Sequence, residues 1–248
     1  MTNQILNPHL DGGPFSFAGQ GPACLLIHGF TATTSEVRPL GEYLHGLGYA
    51  VNAPLLAGHN TIPSDMNPVT WQDWLASAEA GYLALAQQHS QVVVAGESMG
   101  GLLALLLAAK YPQITGLALF APALRVRGLY GANVLKYFKA YLDKDLTDVN
   151  PLWSGYGNYP VRGLAQLNKL QHETWRRLPQ VRQPTLLVMA GRDDSVNPRT
   201  AGLIHRRIGS VRLETVWMPD STHVVLLSDQ RDEVNQRFHQ FLQEITAE

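Results

Sequence analysis

The sequence predicts an α/β protein with a mostly parallel central sheet, helices on both faces and a small inserted helical cap. Three observations lead there. Short β-rich runs alternate with longer segments of helical periodicity. Several of the short runs are almost continuously apolar, as strands become when helices cover both sheet faces. The alternation lapses once, between Ala123 and Leu178.

Strands are expected at 23–28, 49–53, 92–95, 116–120, 185–189 and 212–217. The first helix covers about 35–47 and closes at Gly48, suited to a left-handed cap. The second starts at Thr70, whose side chain can cap, with Asp73 three residues on. The third follows Ser98 through an unbroken apolar run and stops before Pro112; the fourth runs from Pro198 to near Gly209. The last covers about 230–245, with Val234, Phe238, Phe241, Leu242 and Ile245 on one face.

The stretch 123–178 contains no clear strand, and we read it as a helical cap inserted into a core formed by 1–122 and 179–248. Val134, Leu135, Tyr137, Phe138, Tyr141 and Leu142 recur at helical spacing in its first half, and a second helical pattern lies near 161–170. The competing reading is an ordinary long crossover connection.

Composition narrows the function classes. With 45% hydrophobic and 16% charged residues over 248 positions, the chain is too apolar and too sparsely charged to be disordered. Nineteen Lys and Arg against 20 Asp and Glu, with no basic run, argue against a nucleic-acid partner. The single cysteine, Cys24, sits in an apolar run and reads as a small core residue. Residues 1–10 show no basic-then-apolar leader, and the longest apolar stretch, 102–109, is too short to span a bilayer. These features predict a soluble cytoplasmic protein without stable membrane insertion. They leave monomer and homodimer open.

Gly96-Glu97-Ser98-Met99-Gly100 fits G-x-S-x-G. The pattern gains specificity from context, because an apolar strand runs into it and an apolar helix leaves it, as a nucleophile elbow requires. The turn is tight enough that side chains two positions either side of the serine would clash, which explains both glycines. The helix start adds unpaired N–H groups where an oxyanion would form.

A serine nucleophile needs a general base held by a carboxylate, and in elbow-type sites both follow the serine, acid first. His223, in the polar turn Ser221-Thr222-His223 after a strand, is the best base. His172, His205 and His239 fall on helical patterns. The acid lies in Asp193-Asp194, directly after the strand at 185–189; only one of two adjacent side chains can face His223, and spacing does not choose. The backbone N–H groups of Met99 and Phe30 are the expected oxyanion donors, Phe30 because His28-Gly29-Phe30 ends the first parallel strand. Gly29 would let the backbone approach, His28 would brace the loop, and His59 reads as structural. Three distant histidines without local ligand spacing, His28, His59 and His223, do not make a metal site, and no metal or organic cofactor is expected.

Together these residues resemble the α/β-hydrolases, in particular small bacterial carboxylesterases and monoacylglycerol lipases with a short helical cap. The likeness rests on Leu26-Ile27-His28-Gly29-Phe30-Thr31, Pro54-Leu55-Leu56-Ala57-Gly58-His59, Gly96-Glu97-Ser98-Met99-Gly100-Gly101, Asp193-Asp194-Ser195-Val196-Asn197-Pro198 and Ser221-Thr222-His223-Val224, in that order. It covers nearly the whole chain outside 123–178. The resemblance implies the α/β-hydrolase fold, and it places the acid on Asp193, because the family's aspartate precedes an Ile/Val-Asn-Pro ending. Two positions depart from the pattern: Asn60, where many relatives have glycine, and Glu97, where lipase-like members often carry His or Leu. The segment before Ala23 has room for one or two strands, so the fold's first antiparallel ribbon is expected to be curtailed.

The expected activity is serine-based cleavage of short- to medium-chain acyl esters or monoacylglycerols, with a small-molecule ester as partner. Phe30, Leu129, Val134, Phe138 and Tyr141 are candidates to line the pocket. Thioesterase, amidase and C–C hydrolase activities use the same machinery, and a non-hydrolytic receptor is the reading from another class.

Overall fold

The computed structural model describes residues 5–147 and 149–247. The first four positions of the 1–10 stretch read for a leader therefore lie outside the described residues.

The chain opens with two short strands, β1 (Ile5–Leu6) and β2 (Phe15–Phe17). Then come β3 (Ala23–Ile27), α1 (Arg38–Gly46), β4 (Ala50–Ala53), α2 (Trp71–Ala86), β5 (Val92–Glu97), α3 (Met99–Lys110) and β6 (Gly116–Phe120). The inserted region holds α4 (Ala132–Leu135), β7 (Tyr141–Asp143), β8 (Gly155–Tyr156), β9 (Asn158–Pro160) and α5 (Val161–Arg177). The chain closes with β10 (Thr185–Ala190), α6 (Arg199–Arg207), β11 (Leu213–Met218) and α7 (Arg231–Thr246).

Seven strands form the central sheet in the order β11-β10-β6-β5-β3-β4-β2. All neighbours are parallel except β2, which runs antiparallel to β4 at the edge. The sheet thus keeps a single antiparallel strand of the ribbon expected to be curtailed. β1 instead pairs with β8 in the inserted region.

Alternate residues of one strand enter two different cores. Leu25 and Ile27 join Val94, Leu117 and Leu119 under α2, α3 and α5. Cys24 and Leu26 join Val93, Ala95 and Phe120 under α1 and α7. Every side chain from Ala23 to Ile27 is buried, which is why the run reads as continuously apolar. α3 is apolar all round for the same reason, since Leu102–Ala108 packs inside the molecule on every side. Among the described residues no helix is long and apolar enough to cross a membrane.

Local chemistry sets the helix ends. Gly48, at φ +91°, lets its own N–H reach the His45 carbonyl (2.9 Å) and the Tyr49 N–H reach that of Leu44 (3.1 Å). At the start of α2 the Asp73 carboxylate accepts both the Thr70 N–H (2.8 Å) and its hydroxyl (2.6 Å). The Thr70 hydroxyl in turn faces the Asp73 N–H, so the two residues form the reciprocal capping box the sequence suggested.

The inserted region is mixed rather than purely helical. The helix expected over 129–142 is a 3-10 turn (Leu129–Gly131) and the single turn α4, after which the chain becomes a strand. β7 pairs antiparallel with β9, Tyr141 opposite Pro160 and Asp143 opposite Asn158. This pairing joins residues about 17 positions apart, and periodicity within a window does not register it. Three of the residues that recur at helical spacing are left largely uncovered by the described residues: Val134, Tyr137 and Phe138 are 65%, 77% and 80% exposed.

Candidate active site

β5 ends at Glu97 and α3 begins at Met99, so Ser98 alone makes the turn. Its backbone lies at φ +53°, ψ −110°, a conformation that costs on the order of 1–3 kcal/mol and persists only where surroundings impose it. They do so here. The Ser98 N–H donates to the Phe120 carbonyl (2.8 Å), and the Ser98 carbonyl accepts from Gly101 (3.2 Å) and Ala123 (3.0 Å). A Cβ on Gly96 would lie 2.2 Å from the Gly100 carbonyl carbon, and one on Gly100 would lie 2.1 Å from the Ile27 oxygen.

The sheet order brings the other two groups to the same edge. Asp193 follows β10 and His223 follows β11, both on the side of β6 opposite Phe30. The Ser98 hydroxyl lies 2.8 Å from His223 Nε2, and His223 Nδ1 lies 2.8 Å from Asp193 Oδ2. A carboxylate accepts only, so Nδ1 carries the proton and Nε2 faces the serine as an acceptor. The other Asp193 oxygen accepts the N–H groups of Ser195 (2.9 Å) and Val196 (2.7 Å), which fixes the carboxylate plane. Asp194 faces solvent and accepts from the Ser195 hydroxyl (3.0 Å). A bridge between Val126 and Val196 straps the start of the inserted region to the Asp193 loop.

Electrostatics favour the imidazolium at His223. Burial opposes the charge, but the Asp193 hydrogen bond and the charges of Asp193, Glu36 and Asp194 outweigh it, and the pKa rises above its ordinary value.

On the other side of Ser98 stands the loop 28–31. A Cβ on Gly29 would come within 3.4 Å of the Ser98 Cβ, so this backbone lies directly against the serine. His28 Nδ1 donates to the Gly29 carbonyl (2.9 Å), while its Nε2 accepts the Leu56 N–H (3.1 Å). Burial pushes the His28 pKa down to about 4. His59 accepts the Thr31 N–H on Nε2 (3.1 Å) and turns Nδ1 toward the Ala57 carbonyl (3.0 Å). Both rings are thus committed to holding the loop. Among the described residues no cluster of three or more His, Cys, Asp or Glu is arranged to hold a metal. Cys24 is buried in the core, its thiol pushed up to about 12 by burial.

The candidate lining residues separate. Phe30 is half-buried beside the site, stacked 6.4 Å from the Tyr159 ring and edge-on to Trp74 at 5.7 Å. Leu129 is buried in the core under α3 and α5, and Tyr141 is half-buried on β7. Val134 and Phe138 are corrected by the structure, because their outward exposure places them on the surface of the inserted region. Phe138 borders a shallow surface cleft with Lys136, Tyr137 and Arg162, which contains none of Ser98, Asp193 and His223.

Three charged groups near the site went unassigned by sequence reasoning. Glu36 is buried and accepts the Gly29 N–H (2.5 Å) and the Trp153 indole N–H (3.1 Å). Its spacing from Thr33 has the form of a helix capping box, and that local reading conceals its reach across to Gly29. Glu97, noted only as a departure, is fully buried and accepts the Leu226 N–H (3.3 Å). Burial first, then the charges of Glu36 and Asp193, hold its pKa well above the carboxylate range. Lys144 donates to the Thr31 hydroxyl (2.6 Å) from the inserted region, and nothing in its local sequence marks it.

A model of the alpha/beta hydrolase family matches residues 24–237. Over 240 residues the chain is 35% identical to a thermostable monoacylglycerol lipase from Bacillus sp. (strain H-257), covering 94% of this chain and 96% of that one. It is 28% identical to a carboxylesterase of Bacillus subtilis (strain 168), again over 94% and 96% of the two chains. A solved structure from work on LipS and LipT, two metagenome-derived lipolytic enzymes, superposes with a TM-score of 0.88 at 29% identity over 95% of this chain and 99% of that one. The match spans the strands, the elbow and the loops that bring Ser98, Asp193 and His223 together, and the chain belongs to the alpha/beta hydrolase family.

Proposed function

We propose that the protein is a carboxylic ester hydrolase that works through an acyl-serine intermediate, with Ser98 as nucleophile, His223 as general base and Asp193 as its orienting acid. The observation that carries this reading is the continuous relay at 2.8 Å from the Ser98 hydroxyl through His223 to Asp193. Ester hydrolysis is also the chemistry named for the two Bacillus relatives.

The steps follow from the geometry. His223 Nε2 takes the hydroxyl proton as Ser98 Oγ attacks the ester carbonyl carbon. Asp193 stays ionised and stabilises the imidazolium. Charge gathers on the former carbonyl oxygen, where the N–H groups of Met99, at the start of α3, and Phe30, in the loop against Ser98, are the donors. The imidazolium then protonates the leaving alcohol. A water molecule, deprotonated by the same ring, attacks the acyl-serine and releases the acid. The Phe30 ring, with Tyr159 behind it, offers an apolar wall for an uncharged ester, and short- to medium-chain acyl esters and monoacylglycerols are the substrate class.

Replacing Ser98 by alanine tests the reading. Turnover of a p-nitrophenyl ester should fall by about 10³-fold or more in a protein that keeps its fold, and labelling by a fluorophosphonate probe should vanish. A folded Ser98→Ala variant with near-native turnover would exclude the mechanism.

A further inference from the structure

The loop that carries the Phe30 N–H is fixed peptide by peptide. The Gly29 N–H donates to Glu36 (2.5 Å). The Gly29 carbonyl accepts from His28 Nδ1 (2.9 Å). The Phe30 carbonyl accepts from the Thr31 hydroxyl (2.6 Å), and the Thr31 N–H donates to His59 (3.1 Å). The Phe30 N–H itself makes no hydrogen bond among the described residues. The loop is therefore held by every polar group except the one that would face an oxyanion.

Thr31 is the costly residue in this arrangement. It is β-branched and lies at φ +63°, a conformation rare for such side chains. Two groups from the inserted region hold it there. The Tyr156 N–H donates to its carbonyl (2.8 Å), and Lys144 Nζ donates to its hydroxyl (2.6 Å). Because that hydroxyl accepts from the ammonium, its own proton is directed to the Phe30 carbonyl.

We propose that Lys144 is a positioning residue for the oxyanion donor: from the inserted region it fixes the Thr31 hydroxyl, which holds the Phe30 carbonyl and so anchors Phe30 on the far side from the Gly29–Phe30 peptide whose N–H would face the oxyanion. The proposal rests on the reading of Phe30 as a donor given above. Lys144 lies 4.6 Å from the centres of both the Trp153 and Tyr159 rings, which enclose the ammonium. The same Trp153 donates its indole N–H to Glu36 (3.1 Å). One indole therefore joins the carboxylate on one side of the loop to the ammonium on the other. Tyr159 is also the ring stacked on Phe30. Burial weighs against the charge on both groups, raising the Glu36 pKa and bringing that of Lys144 down to about 7. The two groups make no direct ion pair among the described residues; each holds its own side of the loop, Glu36 through the Gly29 N–H and Lys144 through the Thr31 hydroxyl.

The test compares Lys144→Met, Lys144→Arg and Thr31→Val with p-nitrophenyl butyrate as substrate and an alkyl trifluoromethyl ketone as tetrahedral analogue. Removing one oxyanion donor outright costs about 10²–10³-fold, so mis-aiming one should lower kcat by about 10-fold or more. Lys144→Met should do this with KM within about twofold, and should weaken the ketone by the same factor as kcat/KM. Lys144→Arg, which can still donate to Thr31, should recover most of the loss. Thr31→Val keeps the branched shape but breaks the relay, and it tests the same point should Lys144→Met fold poorly. The loss in Thr31→Val should match that in Lys144→Met and not add to it. Wild-type kcat and ketone affinity in either folded variant would overturn the proposal. So would a raised KM with unchanged kcat, which would make Lys144 a ground-state binding group. Ser98→Ala in the same assay separates the two levels: if it stays active, the serine mechanism fails rather than the role of Lys144.

Discussion

Asp193 and Asp194 are adjacent in the chain, yet only Asp193 Oδ2 reaches His223, at 2.8 Å from Nδ1. Asp194 points to solvent with the Ser195 hydroxyl as its partner. Their asparagine variants should behave differently. Asp193→Asn offers an amide that can hold the ring in the wrong tautomer, and kcat should fall by about 10³–10⁴-fold. Asp194→Asn should stay within about twofold. Steady-state kinetics on one soluble ester decides the assignment, and a large loss confined to Asp194→Asn would reverse it.

The raised pKa of His223 has a defined sign in the pH profile. On the proposed mechanism His223 works only when neutral, so kcat/KM should fall as pH drops through a value above the ordinary 6.5. Burial alone would move that limb down, and the Asp193 hydrogen bond and charge move it up, with Glu36 and Asp194 adding to it. Glu36→Gln removes one contributing charge while keeping an acceptor for the Gly29 N–H, and should shift the acidic limb toward lower pH. A limb that stays fixed in Glu36→Gln would show that Glu36 does not act on His223.

How much of this was legible depends on the range of the interaction. The parallel strands were readable because both faces are buried, as at Ala23–Ile27, and composition alone then marks them. Ser98 was readable because the elbow confines its signal to five residues. His223 and Asp193 were readable through chain order and their place after strands, while the choice between Asp193 and Asp194 needed the family resemblance. β7 and β9 were not readable, since each is stabilised by the other and neither by its own periodicity. Glu36 meets Trp153 and Lys144 from more than a hundred residues away, and no spacing rule connects them. Val134 and Phe138 recur at helical spacing, but among the described residues no surface covers them.

The glycines give a contrast in stability. Gly100→Ala would drive a Cβ to 2.1 Å from the Ile27 carbonyl oxygen, a backbone atom of β3 that cannot step aside. We expect a loss of about 3 kcal/mol or more, or failure to fold. Gly46 lies in the last turn of α1, where an added Cβ would meet nothing within 4 Å. Gly46→Ala should be neutral or should stabilise by up to about 1 kcal/mol, through lower backbone entropy in the unfolded chain. Denaturant midpoints of the two variants measure both effects.

Glu97 supplies a linkage test. Its carboxyl is fully buried, Oε2 has the Leu226 N–H, and Oε1 has no partner among the described residues. Its folded-state pKa stands well above the carboxylate range, chiefly through burial. Between the unfolded and folded pKa values the native state therefore binds the extra proton, so this group lowers stability as pH rises. Glu97→Gln keeps an acceptor for Leu226 and removes the titration. Its stability relative to wild type should improve steadily from pH 5 to 8, with kcat within a few-fold because the Glu97 side chain hydrogen-bonds to the Leu226 N–H and to none of Ser98, Asp193 and His223. Thermal midpoints across that range check the slope. A gap between the two proteins that stays constant, or widens toward acid, would mean that Glu97 is ionised in the fold and that Leu226 and its neighbours hold the charge.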